Sequence, residues 1–548
     1  MNTASGRRWD ENRRSFAREA RSLPALALVA LLVVWCWSTW SSPPYSPDSW
    51  AYYELSQSIW RGGFRLLQLR SYAYPAAAPS GAFPPLWPAL WSLVAAPSSL
   101  GARAGLIASF GCIAALAMFS EAIGRQLSGV RWVGLAAAAG LFAMPGFADE
   151  VEAARSIPLQ MALTSGLIWT LLRCGPIGPA RAAAMGVICG ALVLTRFDML
   201  AFAVLFGLIV LFLSRSLGAT AAFGLLFLAA VSPWMTLSWL WFGELFHSDS
   251  AFVASATDPR TFVTDWYPPA RHRATLGDDP AAWAYKVAGN LPPFLRSAAS
   301  SPGPLGLAAF AAALAALLAR GREAGNLISS FRTADVSVRR FAAVAPAIVA
   351  PLPLYLVTGY FDARYFSLVF WYALMAVSTL AAVAWLPRAG RGGVESRTML
   401  LALGMLLIAG CANVTRGLAR APEPGFPELR EFARIGTCLR LLGAHATDRI
   451  LFQDDTLGAR WAAVRRLPAA SLPPNFTRPG ISFAEKGQFL AEHDIRFLVG
   501  VPEVLEPIFK PFLQGPPLRC GAAVYRLAPA GASGSMSPRR GGPGVSRA

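Results

Sequence analysis

The sequence predicts a mainly α, polytopic membrane protein of about 11 transmembrane helices plus a juxtamembrane helix, with a small C-terminal α/β extracytoplasmic domain. Three observations lead there. Of 548 residues, 55% are hydrophobic and 15% charged, and the mean hydropathy is +0.43; a soluble chain carries roughly a quarter charged residues. Uncharged apolar runs of about 17 to 25 residues, enough to cross roughly 30 Å of hydrocarbon, recur up to about residue 415. The basic excess, 49 Lys plus Arg against 31 Asp plus Glu, falls in short segments between those runs. That is the positive-inside pattern, so the net charge of +18 does not signal nucleic-acid binding.

Taken in order, residues 1–22 form a basic tail whose Arg7, Arg8, Arg13, Arg14, Arg18 and Arg21 put the N-terminus in the cytoplasm. Spans are expected near 23–41, 104–120, 132–148, 156–172, 182–197, 199–214, 217–243, 299–319, 341–361, 365–387 and 398–415. Phe83 to Pro97 supplies only about 14 apolar residues, too few to cross, and reads as a juxtamembrane or re-entrant helix. The run 182–214 is split at Thr195-Arg196-Phe197-Asp198, because charges inside an apolar span are costly. The domain plan is then a transmembrane domain over 23–415 with outward loops 42–103 and 244–298. An extracytoplasmic α/β domain follows over 416–528, and then a disordered tail over 529–548. The setting is the cytoplasmic (inner) membrane, with Arg173, Arg181 and the Arg320 to Arg340 loop on the cytoplasmic side.

Beyond residue 416 the pattern changes. DRILFQD (448–454) and IRFLVGV (495–501) read as strands, and FAEKGQFLAEHD (483–494) reads as a helix with apolar positions three and four apart. Cys438 and Cys520 share an oxidising compartment on this topology, which suggests a disulfide. No CxxC spacing occurs, and His247, His272, His445 and His493 are scattered, so no metal site is read. The sequence assigns no cofactor and leaves a divalent metal unspecified.

Residues suited to chemistry gather in the expected outward segments. Asp48 follows the first span, with Tyr52 and Leu55 on the same helical face, and Pro47-Asp48 is equally a helix-start signal. Arg61, Arg65 and Arg70 lie in the same loop, followed by Phe83-Pro84-Pro85-Leu86-Trp87-Pro88. Far downstream, Tyr360-Phe361-Asp362-Ala363-Arg364-Tyr365 makes a short outward turn. An acid, several arginines and aromatic walls on one membrane face suit a phosphate-linked lipid, because guanidinium pairs with phosphate and aromatics occupy the interface.

These elements resemble the GT-C-type membrane glycosyltransferases, of the protein O-mannosyltransferase and aminoarabinose transferase kind. The likeness rests on Asp48 and Tyr52 after the first span, Pro84-Pro85-Leu86-Trp87, and Arg364-Tyr365 at a late span, with Thr195-Arg196-Phe197-Asp198 similar to an Arg-Pro-acid element midway. The resemblance implies a polyprenyl-phosphate sugar as donor and membrane lipid and lipid-linked sugar as partners. It implies Asp48 as general base, Arg364 with Arg65 and Arg70 behind it on the donor phosphate, and Tyr52, Trp87 and Tyr365 around the pocket. Two departures stand out. Phe83 replaces a lysine common before the double proline. Arg155-Ser156-Ile157-Pro158 is no clean match for the second-loop acid motif, leaving Asp149, Glu150 and Glu152 as candidate second acids or as solvated charges at a span end. A flippase or transporter for a lipid-linked saccharide, and a non-catalytic assembly subunit, fit the same scaffold.

Overall fold

A computed structural model describes residues 23–40, 46–60, 63–69, 80, 81, 83–98, 100–248, 279–318, 336–359, 361–419, 428–477 and 481–528. The chain separates into two units: Met1–Leu66, Ala78–Val263 and Ala270–Phe426 form the first, and Leu67–Ala77, Thr264–Pro269 and Pro427–Ala548 the second.

The first unit is helical. Helix α1 (Leu23–Thr39) is apolar on all sides, and α2 (Pro47–Ile59) begins where Ser46 caps it. The short strand β1 (Gln68–Leu69) belongs to the second unit. Helix α3 (Leu86–Ala95) starts after the double proline; its 10 residues reach only about 15 Å, consistent with a segment that does not cross. Helix α4 (Ala104–Ser128) then crosses α5 (Val133–Phe142) very closely, since a Cβ on Gly134 would sit 1.6 Å from the Ser120 carbonyl oxygen. The expected span 132–148 is interrupted. Met144 precedes Pro145 and is extended, so α5 ends and the short α6 (Pro145–Glu152) begins.

Helices α7 (Ile157–Leu172), α8 (Pro179–Thr195) and α9 (Met199–Ser214) follow. The break between α8 and α9 falls at the expected place, with Arg196 in extended backbone. Gly186 and Gly190 let α8 meet α10 (Leu217–Phe242) backbone to backbone; a Cβ on Gly186 would lie 2.2 Å from the Phe223 carbonyl oxygen. In the expected outward loop 244–298 the structure instead holds a 21-residue helix, α11 (Pro280–Ser300), followed by α12 (Gly303–Leu318). The expected span at 341–361 is three short helices, α13 (Val336–Ala343), α14 (Ala345–Val349) and α15 (Leu352–Thr358). Pro346 and Pro351 lack the amide that a continuous helix needs, which accounts for the breaks.

The last helix of the unit, α16 (Ser367–Ala419), takes in both of the final expected spans. A straight helix would hold residues 374 and 405 about 46 Å apart. Yet a Cβ on Gly140 of α5 would meet Leu374 at 2.9 Å and Met405 at 3.0 Å, so the chain reverses between the two stretches. Ala382 and Val394 likewise share one small apolar cluster with Val130 and Val133.

Among the described residues, five segments are long and apolar enough to cross a membrane: Gly101–Ser128, Leu217–Phe242, Val336–Thr358, Ala363–Val383 and Gly392–Ala419. Six apolar helices of 10–17 residues accompany them. The protein is a multi-pass membrane protein.

Besides β1, the second unit holds α17 (Glu428–Leu441), β2 (Arg449–Phe452), α18 (Asp455–Arg465), β3 (Ala469–Ser471), α19 (Phe483–Glu492), β4 (Ile495–Gly500), α20 (Pro502–Phe509), β5 (Leu513–Cys520) and β6 (Ala522–Leu527). The sheet order is β1-β3-β2-β4-β6-β5; β1, β3, β2 and β4 pair in parallel, and β6 runs antiparallel to both of its neighbours, β4 and β5. Side chains alternate across it. Leu451 and Leu498 pack with Phe489, Leu505 and Phe509 on one face, while Ile450, Phe452, Phe497 and Val499 pack with Phe432, Ile435 and Trp461 on the other. Cys438 of α17 and Cys520 of β5 are joined by a disulfide.

Candidate functional site

The site is built around residues 149–156, the end of α6 and the turn into α7. Three side chains from other elements clasp this turn. The Ser49 hydroxyl donates to the Ala153 carbonyl, Trp87 Nε1 donates to the Ala154 carbonyl at 2.9 Å, and the Tyr52 hydroxyl donates to Ser156 Oγ at 3.2 Å. Ala154 itself has φ of +52°, a left-handed conformation that these contacts hold in place. Trp87 is fully buried, and the Tyr52 ring lies edge-on to Phe83 at 4.8 Å. The aromatic residue standing where the related pattern has lysine thus packs against Tyr52. Burial, and then the charge of Asp48, push the Tyr52 phenol above its usual range, while Ser156 and Arg196 act the other way.

Three acids on α6 have three different fates. Asp149 is 41% exposed and pairs with Arg416 at 3.3 Å. Glu152 is buried and accepts a 2.9 Å bond from Trp35 Nε1 on α1. Glu150, only 1% exposed, has one oxygen, Oε1, 3.0 Å from Arg155 Nε and 3.1 Å from Arg364 Nη1. Burying an unpaired carboxylate is prohibitive, so two guanidinium partners are what allow it there.

Arg364 lies in the single 3-10 turn Ala363–Phe366 that leads into α16. Its other carboxylate neighbours are Asp362 at 3.3 Å and Asp48 at 3.7 Å. Asp48 occupies the first turn of α2, where the helix N-terminus favours negative charge. The cap is Ser46, one residue before Pro47, and not Asp48 itself. At 29% exposure, Asp48 is the more accessible of the two acids that meet Arg364 on either side.

Tyr365 adds a second layer that the sequence does not reveal. Its ring has Arg364 at 4.9 Å and Arg196 at 5.0 Å, and its hydroxyl accepts from Arg364 Nη2 at 3.1 Å. Arg196 is paired with Asp198 at 2.8 Å, and Asp198 accepts the Tyr355 hydroxyl. The Arg196–Asp198 pair at the helix break therefore also buttresses Tyr365. Tyr355 had no local signal, since it is an aromatic residue in an apolar run.

Of the remaining expected residues, Arg65 is exposed and makes no ion pair among the described residues; it lies in the extended segment beyond the end of α2. Arg61, Arg70 and Tyr360 lie outside the described residues. Among the described residues no group of three or more His, Cys, Asp or Glu side chains is arranged to hold a metal ion.

No family model matches the chain, and no curated protein matches it. Solved structures do. ArnT from Cupriavidus metallidurans bound to undecaprenyl phosphate has 14% identity and a TM-score of 0.56, with 93% of this chain and 98% of that one covered. The same protein in its apo state has 13% identity and the same TM-score and coverage. The chain has the GT-C fold. A weaker likeness is to the Archaeoglobus fulgidus oligosaccharyltransferase in its apo form, at 11% identity and TM-score 0.47 over 87% of this chain and 70% of that one. Within this GT-C scaffold, the first loop, the α6–α7 turn and the start of α16 bring Asp48, Glu150 and Arg364 together, although 316 positions separate the first from the last.

Proposed function

We propose that this protein is a glycosyltransferase that moves a sugar from a polyprenyl-phosphate carrier to an acceptor hydroxyl on the outer face of the cytoplasmic membrane. The observation that carries the reading is the meeting of Asp48, Glu150 and Arg364, two carboxylates on one guanidinium. The likeness of fold to a protein solved with undecaprenyl phosphate supports it.

The acids divide the work by exposure. Glu150 is enclosed and both its guanidinium contacts fall on one oxygen, so it serves to hold Arg364 and Arg155. Asp48 is more exposed and more distant from Arg364, and it acts as the base. On donor binding the phosphate takes the side of Arg364 now facing Asp48, because guanidinium binds phosphate at least as well as carboxylate. Asp48 then accepts the proton of the acceptor hydroxyl as its oxygen attacks the anomeric carbon. The carbon–phosphate-oxygen bond breaks in the same displacement, the configuration inverts, and polyprenyl phosphate leaves with its charge held by Arg364. Tyr52, Trp87 and Tyr365 shape the surroundings of that step.

The test is transfer from synthetic polyprenyl-phosphate sugars by the full-length protein in liposomes. Asp48→Asn should lose about 10²- to 10⁴-fold in rate while donor binding persists. Unchanged transfer by a folded Asp48→Asn protein would remove Asp48 as the base. Movement of the intact lipid-linked sugar across the bilayer without transfer would favour a flippase.

A further inference from the structure

Most buried or half-buried arginines of the first unit face a carboxylate. Arg364, Arg155, Arg196, Arg416 and Arg131 have Glu150 with Asp48, Glu150, Asp198, Asp149 and Glu121 respectively. One cluster departs from this. Arg173 ends α7, Arg181 opens α8, and Arg339 and Arg340 lie in α13. Among the described residues no carboxylate pairs with any of the four.

Two of them are structural. Arg340, 9% exposed, donates to the carbonyls of Arg173 at 2.9 Å and Gly175 at 2.8 Å, with Leu171 at 3.4 Å. Arg181 donates to the carbonyls of Thr170 at 2.8 Å, Leu171 at 2.6 Å and Arg173 at 2.7 Å. These are the unsatisfied carbonyls at the end of α7, and the helix dipole places roughly half a negative charge there. Two guanidinium ions more than cancel that half charge. Arg173 and Arg339 add two more cations and are exposed; Arg173 lies 5.3 Å above the Trp169 ring. An indole beneath a cation is the composition of a membrane–water interface.

The other end of α7 begins beside Arg155 and Ser156, in the acid-rich site. Sixteen residues of helix separate the two ends by about 24 Å, close to the hydrocarbon thickness. The arginine cluster therefore belongs to the membrane face opposite the Asp48–Arg364 site.

We infer that Arg173, Arg181, Arg339 and Arg340 form a site for the phosphate of an anionic phospholipid in that opposite leaflet. Arg181 and Arg340 are its fixed floor, with most of their donors turned to carbonyls, and Arg173 and Arg339 are its free arms. A basic pocket between membrane helices at one leaflet is the arrangement that selects anionic head groups. The inference is independent of the reaction proposed for the other face.

The experiment is native mass spectrometry of the full-length protein titrated with phosphatidylglycerol or phosphatidylcholine. Phosphatidylglycerol should bind more tightly, and Arg173→Gln with Arg339→Gln should weaken it about thirtyfold, each exposed cation contributing a factor of roughly five. The pair Arg173→Lys with Arg339→Lys should retain the preference, and high salt should weaken it in the wild type. Neither glutamine change touches the carbonyl contacts, so the fold is retained. Equal binding of phosphatidylcholine, no loss in the glutamine variant, or displacement by millimolar inorganic phosphate would each overturn the lipid assignment.

Discussion

Arg364 Nη1 lies 3.1 Å from Glu150 Oε1, joining residues 214 apart in the chain at the edge of a membrane span. The contact explains how an acid can be almost fully enclosed in this unit. Removing its charge should leave Arg155 with no carboxylate among the described residues and Arg364 with only the more exposed Asp48 and Asp362. Glu150→Gln is expected to destabilise the protein by about 3 kcal/mol. Thermal unfolding in detergent would show it as a clear drop in midpoint, whereas Asp149→Asn, at an exposed pair, should shift it by less than about 1 kcal/mol.

Tyr365 sits between two guanidinium ions, so its two kinds of contact can be separated. Tyr365→Phe keeps both ring contacts and loses only the hydroxyl that accepts from Arg364. Tyr365→Leu loses all three, and with them the ring contact to Tyr355 at 4.7 Å. The leucine variant should be the less stable by about 1 to 4 kcal/mol, at roughly 0.5 to 2 kcal/mol for each cation–π contact. Equal melting of the two would mean that the ring face contributes nothing.

The Cys438–Cys520 disulfide ties α17 to the edge strand β5 across 82 residues. Protein isolated from membranes is expected to leave both thiols unalkylated until reductant is added, as in an oxidising compartment. Cys438→Ser should cost the second unit about 2 to 4 kcal/mol. Rapid alkylation of both residues in unreduced protein would contradict the extracytoplasmic position expected for this unit.

His493 ends α19 with its ring 4.7 Å from Phe489 and its carbonyl accepting from Arg449 at 3.0 Å. Burial first, and then the Arg449 charge, lower its pKa from 6.5 to about 4. Folding thus favours the neutral ring. As pH falls below 6.5 the unfolded chain takes up the proton first, so stability declines between about pH 6.5 and 4 and levels off below. At 1.36 kcal/mol per pH unit the loss approaches roughly 3 kcal/mol. Hydrogen exchange in α19 and β4, corrected for intrinsic rates, should show the decline, and His493→Leu should flatten it.

Much of the architecture was legible locally. Hydrophobic runs marked most of the apolar helices, the Arg196–Asp198 charges marked the break between α8 and α9, and the segments DRILFQD and IRFLVGV marked β2 and β4. What composition did not show were breaks within apolar runs and one distant pairing. Pro145 cut an apolar run into α5 and α6, and Pro346 and Pro351 cut another into three. A two-residue strand, Gln68–Leu69, joined a sheet whose other strands lie some 380 residues later. Two residues are too few to carry a periodicity, so only the pairing partner identifies them.

The sequence by itself determined where apolar segments run and which segments are charged, and it singled out an acid near the first span and an arginine near a late one as candidates for chemistry at a membrane surface. These depend on hydropathy and on neighbours within a turn or two. Tertiary structure decided that Asp48, Glu150 and Arg364 meet, that Glu150 rather than Asp149 or Glu152 is the enclosed partner, and that Tyr365 is shared by two arginines. Adjacent acids on one short helix point in different directions around its axis. Which of them meets a cation depends on the path of chain segments hundreds of residues away, and no local pattern encodes that path.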